Sequence, residues 1–154
     1  MAEVRRAGVE DAEVVAALLH DFNTEFDTST PGVAVLTQRL RTLLADGDDA
    51  DLVALLHGDP PDGLAVVSFR PNVWFDAPVA LLDELYVRPD LRGRRIGHAL
   101  ITAVEALAAE RGGRVVEVNV DGEDTDARRF YVAHGYSHTE PGATEPSYFY
   151  AKEW

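Results

Sequence analysis

Four arginines, Arg88, Arg92, Arg94 and Arg95, crowd around Gly93 and Gly97, with Asp90 as the single acid among them. The whole chain carries 27 Asp+Glu against 14 Lys+Arg, a formal charge of -13, so this short stretch reverses the local sign. It follows an apolar run, Val79 to Val87, and leads directly into a segment of helical period. A strand-to-helix junction of this kind can cradle an anion. Helix N-termini present backbone N–H groups with no internal partner and about half a positive charge, and glycines let the backbone approach a ligand closely. The chemistry implied is binding of a phosphate or pyrophosphate through Arg92, Gly93, Arg94, Arg95, Ile96, Gly97 and His98. The loop is neither a Walker loop, since no Gly-Lys-Ser/Thr follows, nor the Gly-x-Gly-x-x-Gly dinucleotide fingerprint. An ordinary strand-to-helix turn with solvated arginines is the competing reading, and the residues by themselves weigh the two evenly.

The elements that must position this loop follow from period and punctuation. Glu3 to Arg6 reads as a short strand. Val9 to Phe26 reads as a helix, with Val14, Leu18, Phe22 and Phe26 four apart and Asp11 and Glu13 in its first turn. The Thr28 to Gly32 run breaks it, and a second helix is expected from about Val33 to Ala45. Asp51 to Leu56, Leu64 to Phe69 and Val79 to Val87 read as strands joined by turn-rich connections, which suggests an antiparallel meander. From Gly97 to Arg111 the period becomes helical, ending at Gly112-Gly113. Arg114 to Val120 is expected as a strand, and Asp124 to His134 as a helix capped by Asp124 or Thr125 and stopped at Gly135. Tyr136 to Thr139 and Ser147 to Ala151 are expected as closing strands. The class is α/β with a mixed sheet, parallel where the Gly97 to Arg111 helix links two strands.

Composition narrows the function classes. A length of 154 residues with 46% hydrophobic content suits one domain spanning 1–154 with its own core. The acidity argues against nucleic acid or an anionic membrane as partner, because both need a basic footprint. It mildly favours a cationic ligand. The absence of cysteine excludes thiolate metal sites and a Cys nucleophile and makes the cytoplasm the default compartment. No stretch reaches the ~18 apolar residues of a membrane span, and the charged start does not read as a signal segment. Five histidines (His20, His57, His98, His134, His138) form no His-Glu-x-x-His, and Gly135 separates the last two, so no metal is expected.

The text Leu85-Tyr-Val-Arg-Pro-Asp-Leu-Arg-Gly-Arg-Arg-Ile-Gly-His-Ala-Leu100 resembles the central motif of the GNAT superfamily of acyl-CoA-dependent N-acyltransferases. In that motif a strand ending in Leu-x-Val leads to Arg/Gln-x-x-Gly-x-Gly/Ala. Spacing from the strand puts Arg92 at its opening, with Arg95 where the first glycine belongs; a literal match begins two residues later, at Arg94. The Arg92 register is preferred. Val118 to Tyr136, with its Ala-Arg-Arg-Phe-Tyr run, is similar to the family's next strand and helix, Asp124 standing where Asn is usual. The resemblance implies a GNAT-like mixed, mostly antiparallel sheet of about seven strands flanked by about four helices, with acetyl-CoA as acyl donor. It also implies cofactor contacts from Leu85, Tyr86 and Val87, from the loop, and from Asp124 and Arg128, and it allows a homodimer.

On this resemblance the reaction is direct attack of a primary amine on the thioester in a ternary complex. The amine must be neutral, the oxyanion needs a donor, and the thiolate needs a proton. Deprotonating an amine of pKa ~10.4 at pH 7 costs about 4 to 5 kcal/mol, but one near 7.7 to 8 only about 1 to 1.4 kcal/mol. Glu84 aligns with the family's base; in a regular strand Asp83 and Glu84 point to opposite faces, so one of them would share the acceptor's side. A Glu that only orients or attracts a cation is the alternative. Tyr131, of the Phe-Tyr pair, is the implied acid beside the sulfur, with Phe130 expected in the core. The oxyanion donor is expected among the backbone amides of Leu85 to Val87. Phe22, Phe26, Trp74, Phe75 and Tyr86 are candidates to line an acceptor pocket. A small cationic amine is favoured over a protein amine. A non-catalytic acyl-CoA-binding regulatory module is the reading from another class.

Overall fold

The computed structural model describes residues 3–154. Strand β1 (Val4–Arg6) is followed by a single 3-10 turn at Val9–Asp11, then by α1 (Ala12–Glu25) and α2 (Val33–Leu43). Arg5 donates two hydrogen bonds to the Asp11 carboxylate, at 2.8 and 2.9 Å, and Asp11 also accepts from the Gly8 amide at 2.8 Å. These bonds hold the Asp11 carboxyl below its ordinary pKa, although partial burial opposes them. The acid run after α2 forms a further 3-10 turn at Gly47–Asp49.

Strands β2 (Leu52–His57), β3 (Gly63–Arg70) and β4 (Val79–Val87) form the expected antiparallel meander. After α3 (Ile96–Glu110), β5 (Val116–Val118) joins the sheet beside β4, giving the order β1-β2-β3-β4-β5. The helix connection makes the sheet mixed. One face packs on α1 and α2, where Ala12, Val15, Ala16, Leu18 and Leu40 meet Ala54, Leu56, Leu64, Val66 and Tyr86. Leu18, Leu56 and Leu64 are fully buried there. Truncating one of these leucines to alanine costs about 2 to 5 kcal/mol. The other face carries α3, whose Leu100, Ile101 and Val104 are also fully buried.

Helix α3 lies close to the start of β3. A Cβ on Gly63 would come within 2.9 Å of Ile96 Cγ2 and 3.0 Å of Leu100 Cδ1, tighter than real Cβ contacts allow. Glycine at this position therefore sets how closely α3 approaches the sheet.

The chain divides into two compact units, residues 1–117 and 118–154. In the second, α4 (Thr125–Ala133) begins at Asp124, whose side chain accepts from the Ala127 amide at 3.0 Å. Gly135, at φ 87°, follows the helix as its left-handed stop. The two closing strands expected at Tyr136 to Thr139 and Ser147 to Ala151 are absent among the described residues. Only an isolated bridge, Thr139 to Pro146, stands there, so the described sheet has five strands and not about seven. Pro141-Gly142 and Pro146 lie between the two expected strands, and of a ladder the Ser147 amide makes a bond to the His138 carbonyl, at 2.7 Å. Tyr148, Phe149 and Tyr150 are 72%, 71% and 87% exposed, so β-favouring composition found no face to bury. Among the described residues no helix is long and apolar enough to cross a membrane.

Candidate active site

Strand β4 carries the central irregularity of the first unit. Val66 pairs with Glu84 but its neighbour Val67 pairs with Leu82, so Asp83 is an extra residue with no opposite partner. This is a β-bulge, which bends the strand and re-aims its side chains. In a regular strand Leu82 and Glu84 would share a face; here they oppose residues on different faces of β3. Glu84 lies opposite Val66, on the α1 side of the sheet with Tyr86. The Ser68 hydroxyl, two residues along β3 from Val66, donates to the Asp83 carboxylate. Asp83 and Glu84 consequently come onto the same side, which corrects the expectation that they point to opposite faces. Adjacent acids inside an apolar strand were the only sequence hint of this arrangement.

Glu84 is half-buried, and burial raises its carboxyl above the usual range, with the Asp83 charge adding to the rise. Tyr86 is buried and its ring stacks on Phe22, centroids 5.1 Å apart at 19°. Phe26 meets Phe22 edge-on at 5.5 Å and is itself 50% exposed. The Tyr86 phenol is pushed up by burial and by Glu25 and Asp21, against an opposing pull from Arg92 and Arg88. Leu85 and Val87 are half-buried in β4. Trp74 and Phe75 lie instead in the β3–β4 connection, Trp74 being 84% exposed.

The loop after β4 makes a 3-10 turn at Pro89–Leu91 and enters α3 through Arg95, at φ 64° and ψ 18°. This is the left-handed conformation that favours glycine. In the Arg92 register, Arg95 stands where the family motif has its first glycine. Gly93 is also left-handed, at φ 80°, and a Cβ there would meet open space. Among the described residues no side chain caps α3, and no acid stands in its first turn. The Ala99 amide closes on the Arg95 carbonyl at 3.0 Å, and the opening amides of a helix point along its axis toward the N-terminal end. Arg94 and Arg95 are exposed beside this helix start. The set suits a phosphate group: backbone donors, cations, and a glycine with open space beside it.

Arg92 also has partners within the protein. Its Nε donates to the Val87 carbonyl at 3.0 Å, and its two terminal nitrogens donate to the Glu25 carboxylate at 2.8 and 2.7 Å. The guanidinium carbon lies 5.8 Å from the Tyr86 ring centroid. Sequence reasoning assigned Arg92 to the anion and did not find its partner on α1.

In the second unit, Tyr131 is buried at 8% exposure and Phe130 is half-buried, the reverse of the expectation that Phe130 would be the core member. Tyr131 meets Phe130 and Tyr136 edge-on, at 5.2 and 5.7 Å between centroids. Arg128 is exposed and donates to the Gly122 carbonyl at 3.2 Å. His98 is half-buried in the first turn of α3.

The acetyltransferase (GNAT) family model matches residues 14–136. A crystal structure from Arthrobacter sp. FB24, of a protein assigned as an acetyltransferase, is 58% identical with a TM-score of 0.91, covering 98% of this chain and 95% of that one. Aminoglycoside N(6')-acetyltransferase type 1 of Stenotrophomonas maltophilia is 31% identical over 106 residues, 67% of this chain and 69% of that one. Aminoalkylphosphonate N-acetyltransferase of Salmonella typhimurium is 26% identical over 137 residues, 87% of this chain and 84% of that one. The chain belongs to the GNAT acetyltransferase family and is an acetyl-CoA-dependent N-acetyltransferase.

Proposed function

We propose that residues 1–154 act as one cytoplasmic catalytic domain that transfers the acetyl group of acetyl-CoA to a small cationic primary amine by direct attack. The observation that carries this reading is the position of Glu84. A half-buried carboxylate with raised proton affinity sits on the strand that runs straight into the cationic start of α3. A base with its pKa moved toward neutrality removes an ammonium proton more readily than an ordinary glutamate does.

In this proposal the pyrophosphate of the cofactor rests on the amides of Ile96, Gly97 and His98, with Gly93 giving close approach and Arg94 and Arg95 supplying charge. Asp124 and Arg128, in the stretch similar to the family's next strand and helix, are assigned to the cofactor on that resemblance. A backbone amide between Leu85 and Val87 meets the developing oxyanion. Tyr131 gives its phenolic proton to the departing CoA thiolate, a feasible transfer because the thiolate is a strong enough base to share it.

The acidic surroundings support a cationic acceptor: Asp83 and Glu84 on β4, and Asp21 and Glu25 on the α1 helix that packs against it. The aminoglycoside and aminoalkylphosphonate enzymes among the relatives, by their names, act on small amines. The test is thiol release from acetyl-CoA across a panel of polyamines, aminoglycosides, amino acids and peptide N-termini. Turnover is expected with at least one multiply charged small amine. Release confined to peptides would overturn the acceptor class, and CoA binding without release from any amine would overturn the catalytic reading.

A further inference from the structure

We propose that Asp83 is a positioning residue that sets the pH at which Glu84 becomes an active base. The inference rests on the reading of Glu84 as the base. It stands on the bulge: Asp83 is the extra residue of β4, and the register shift between Val66 and Val67 turns it to the side that Glu84 occupies. Ser68 on the neighbouring strand then fixes it, donating its hydroxyl to the Asp83 carboxylate. Without the extra residue, neighbours 83 and 84 would lie on opposite faces with the sheet between them. The irregularity thus brings two carboxyl groups together, one of them half-buried.

Two adjacent carboxylates resist ionising together, so the more buried member keeps its proton to higher pH. Asp83 is the charged neighbour that acts on Glu84 among the described residues. The other charges near this face act on Tyr86 and come from different elements: Asp21 and Glu25 on α1, Arg88 just after β4, and Arg92 in the loop. Arg92 is already engaged by Glu25. Ser68 restrains the charge that tunes the base while leaving Glu84 itself clear of the restraint.

The measurement is the pH dependence of kcat/KM together with direct titration of Glu84 by carboxyl-carbon NMR. In Asp83→Asn, an isosteric change at an exposed position, the acidic limb and the Glu84 titration should both move to lower pH by about half a unit or more. Asp83→Glu, which keeps the charge, should leave them within a few tenths of a unit of the unsubstituted enzyme. Ser68→Ala should shift both in the direction of Asp83→Asn but by less, since the freed carboxylate gains mobility and solvent. An unmoved Glu84 titration in Asp83→Asn, or equal shifts in Asp83→Asn and Asp83→Glu, overturns the proposal. The base assignment fails separately, through an acidic limb that survives Glu84→Gln.

Discussion

Glu25, in the last turn of α1, takes both terminal nitrogens of Arg92, at 2.7 and 2.8 Å, while the same guanidinium holds the Val87 carbonyl. One side chain thereby ties a helix end, a strand end and the loop that leads into α3. Lysine has no planar fork with which to make these three bonds. Arg92→Lys should therefore lower stability by roughly 0.5 to 1 kcal/mol, the pair being 44% and 27% exposed and so partly screened. Urea unfolding reads this directly. A loss below about 0.2 kcal/mol would mean that the tie contributes nothing beyond what water supplies.

Arg95 holds a left-handed backbone that costs a non-glycine residue about 1 to 2 kcal/mol. Arg95→Gly removes that strain but loosens the unfolded chain, so the net gain should be roughly 0.5 kcal/mol. A small rise in Tm is expected, with acetyl-CoA affinity reduced only by the loss of one nearby charge. A fall in Tm would show that the arginine side chain makes contacts worth more than the strain.

The raised pKa of Glu84 carries a stability cost with a definite sign. Its proton is held more tightly in the folded chain than in the unfolded one, where its pKa is about 4.3. Folding is therefore favoured by this group at low pH, and that contribution is lost as pH rises through the folded pKa. Glu84→Gln should be more stable than the unsubstituted protein at pH 7, with the gap closing as pH falls toward about 4. Thermal melts between pH 4 and 8 decide it; a constant gap would mean that burial, not charge, is what the substitution changes.

Tyr131→Phe removes one hydroxyl from a buried ring whose edge-on contacts with Phe130 and Tyr136 the phenylalanine retains. If the phenol protonates the thiolate, kcat should fall ten-fold or more while acetyl-CoA affinity changes little. Stopped-flow thiol release alongside calorimetric CoA binding separates the two quantities. An unchanged kcat would remove Tyr131 as the acid.

Local signals carried most of the framework. Val79–Val87 reads as a strand because its apolar residues are bounded by Pro78 and by Arg88-Pro89, and α3 because Leu100, Val104, Leu107 and Ala108 recur at helical spacing up to Gly112. Asp124 as cap and Gly135 as stop are equally local. What escaped is relational. A bulge depends on how two strands count against each other, so nothing in β4 alone turns Asp83 to the side of Glu84. The Glu25 partner of Arg92 lies 67 residues away, beyond any spacing rule. The closing strands failed in the opposite direction: Tyr148, Phe149 and Tyr150 have the right composition, but ladder partners are a property of the neighbours, and an isolated bridge is what forms there.

Gly63 makes the β2–β3 hairpin a calibrating part of how α3 is seated. The gap that admits Ile96 and Leu100 is one missing methyl wide, and Ile96 is the first residue of α3. Exchanging this hairpin for one from a relative would thus carry a hidden adjustment, lifting or seating the start of α3 against the sheet. The seating of α3 is in this sense written partly in the first residue of a strand, and grafted hairpins should be matched at this glycine before their own residues are compared.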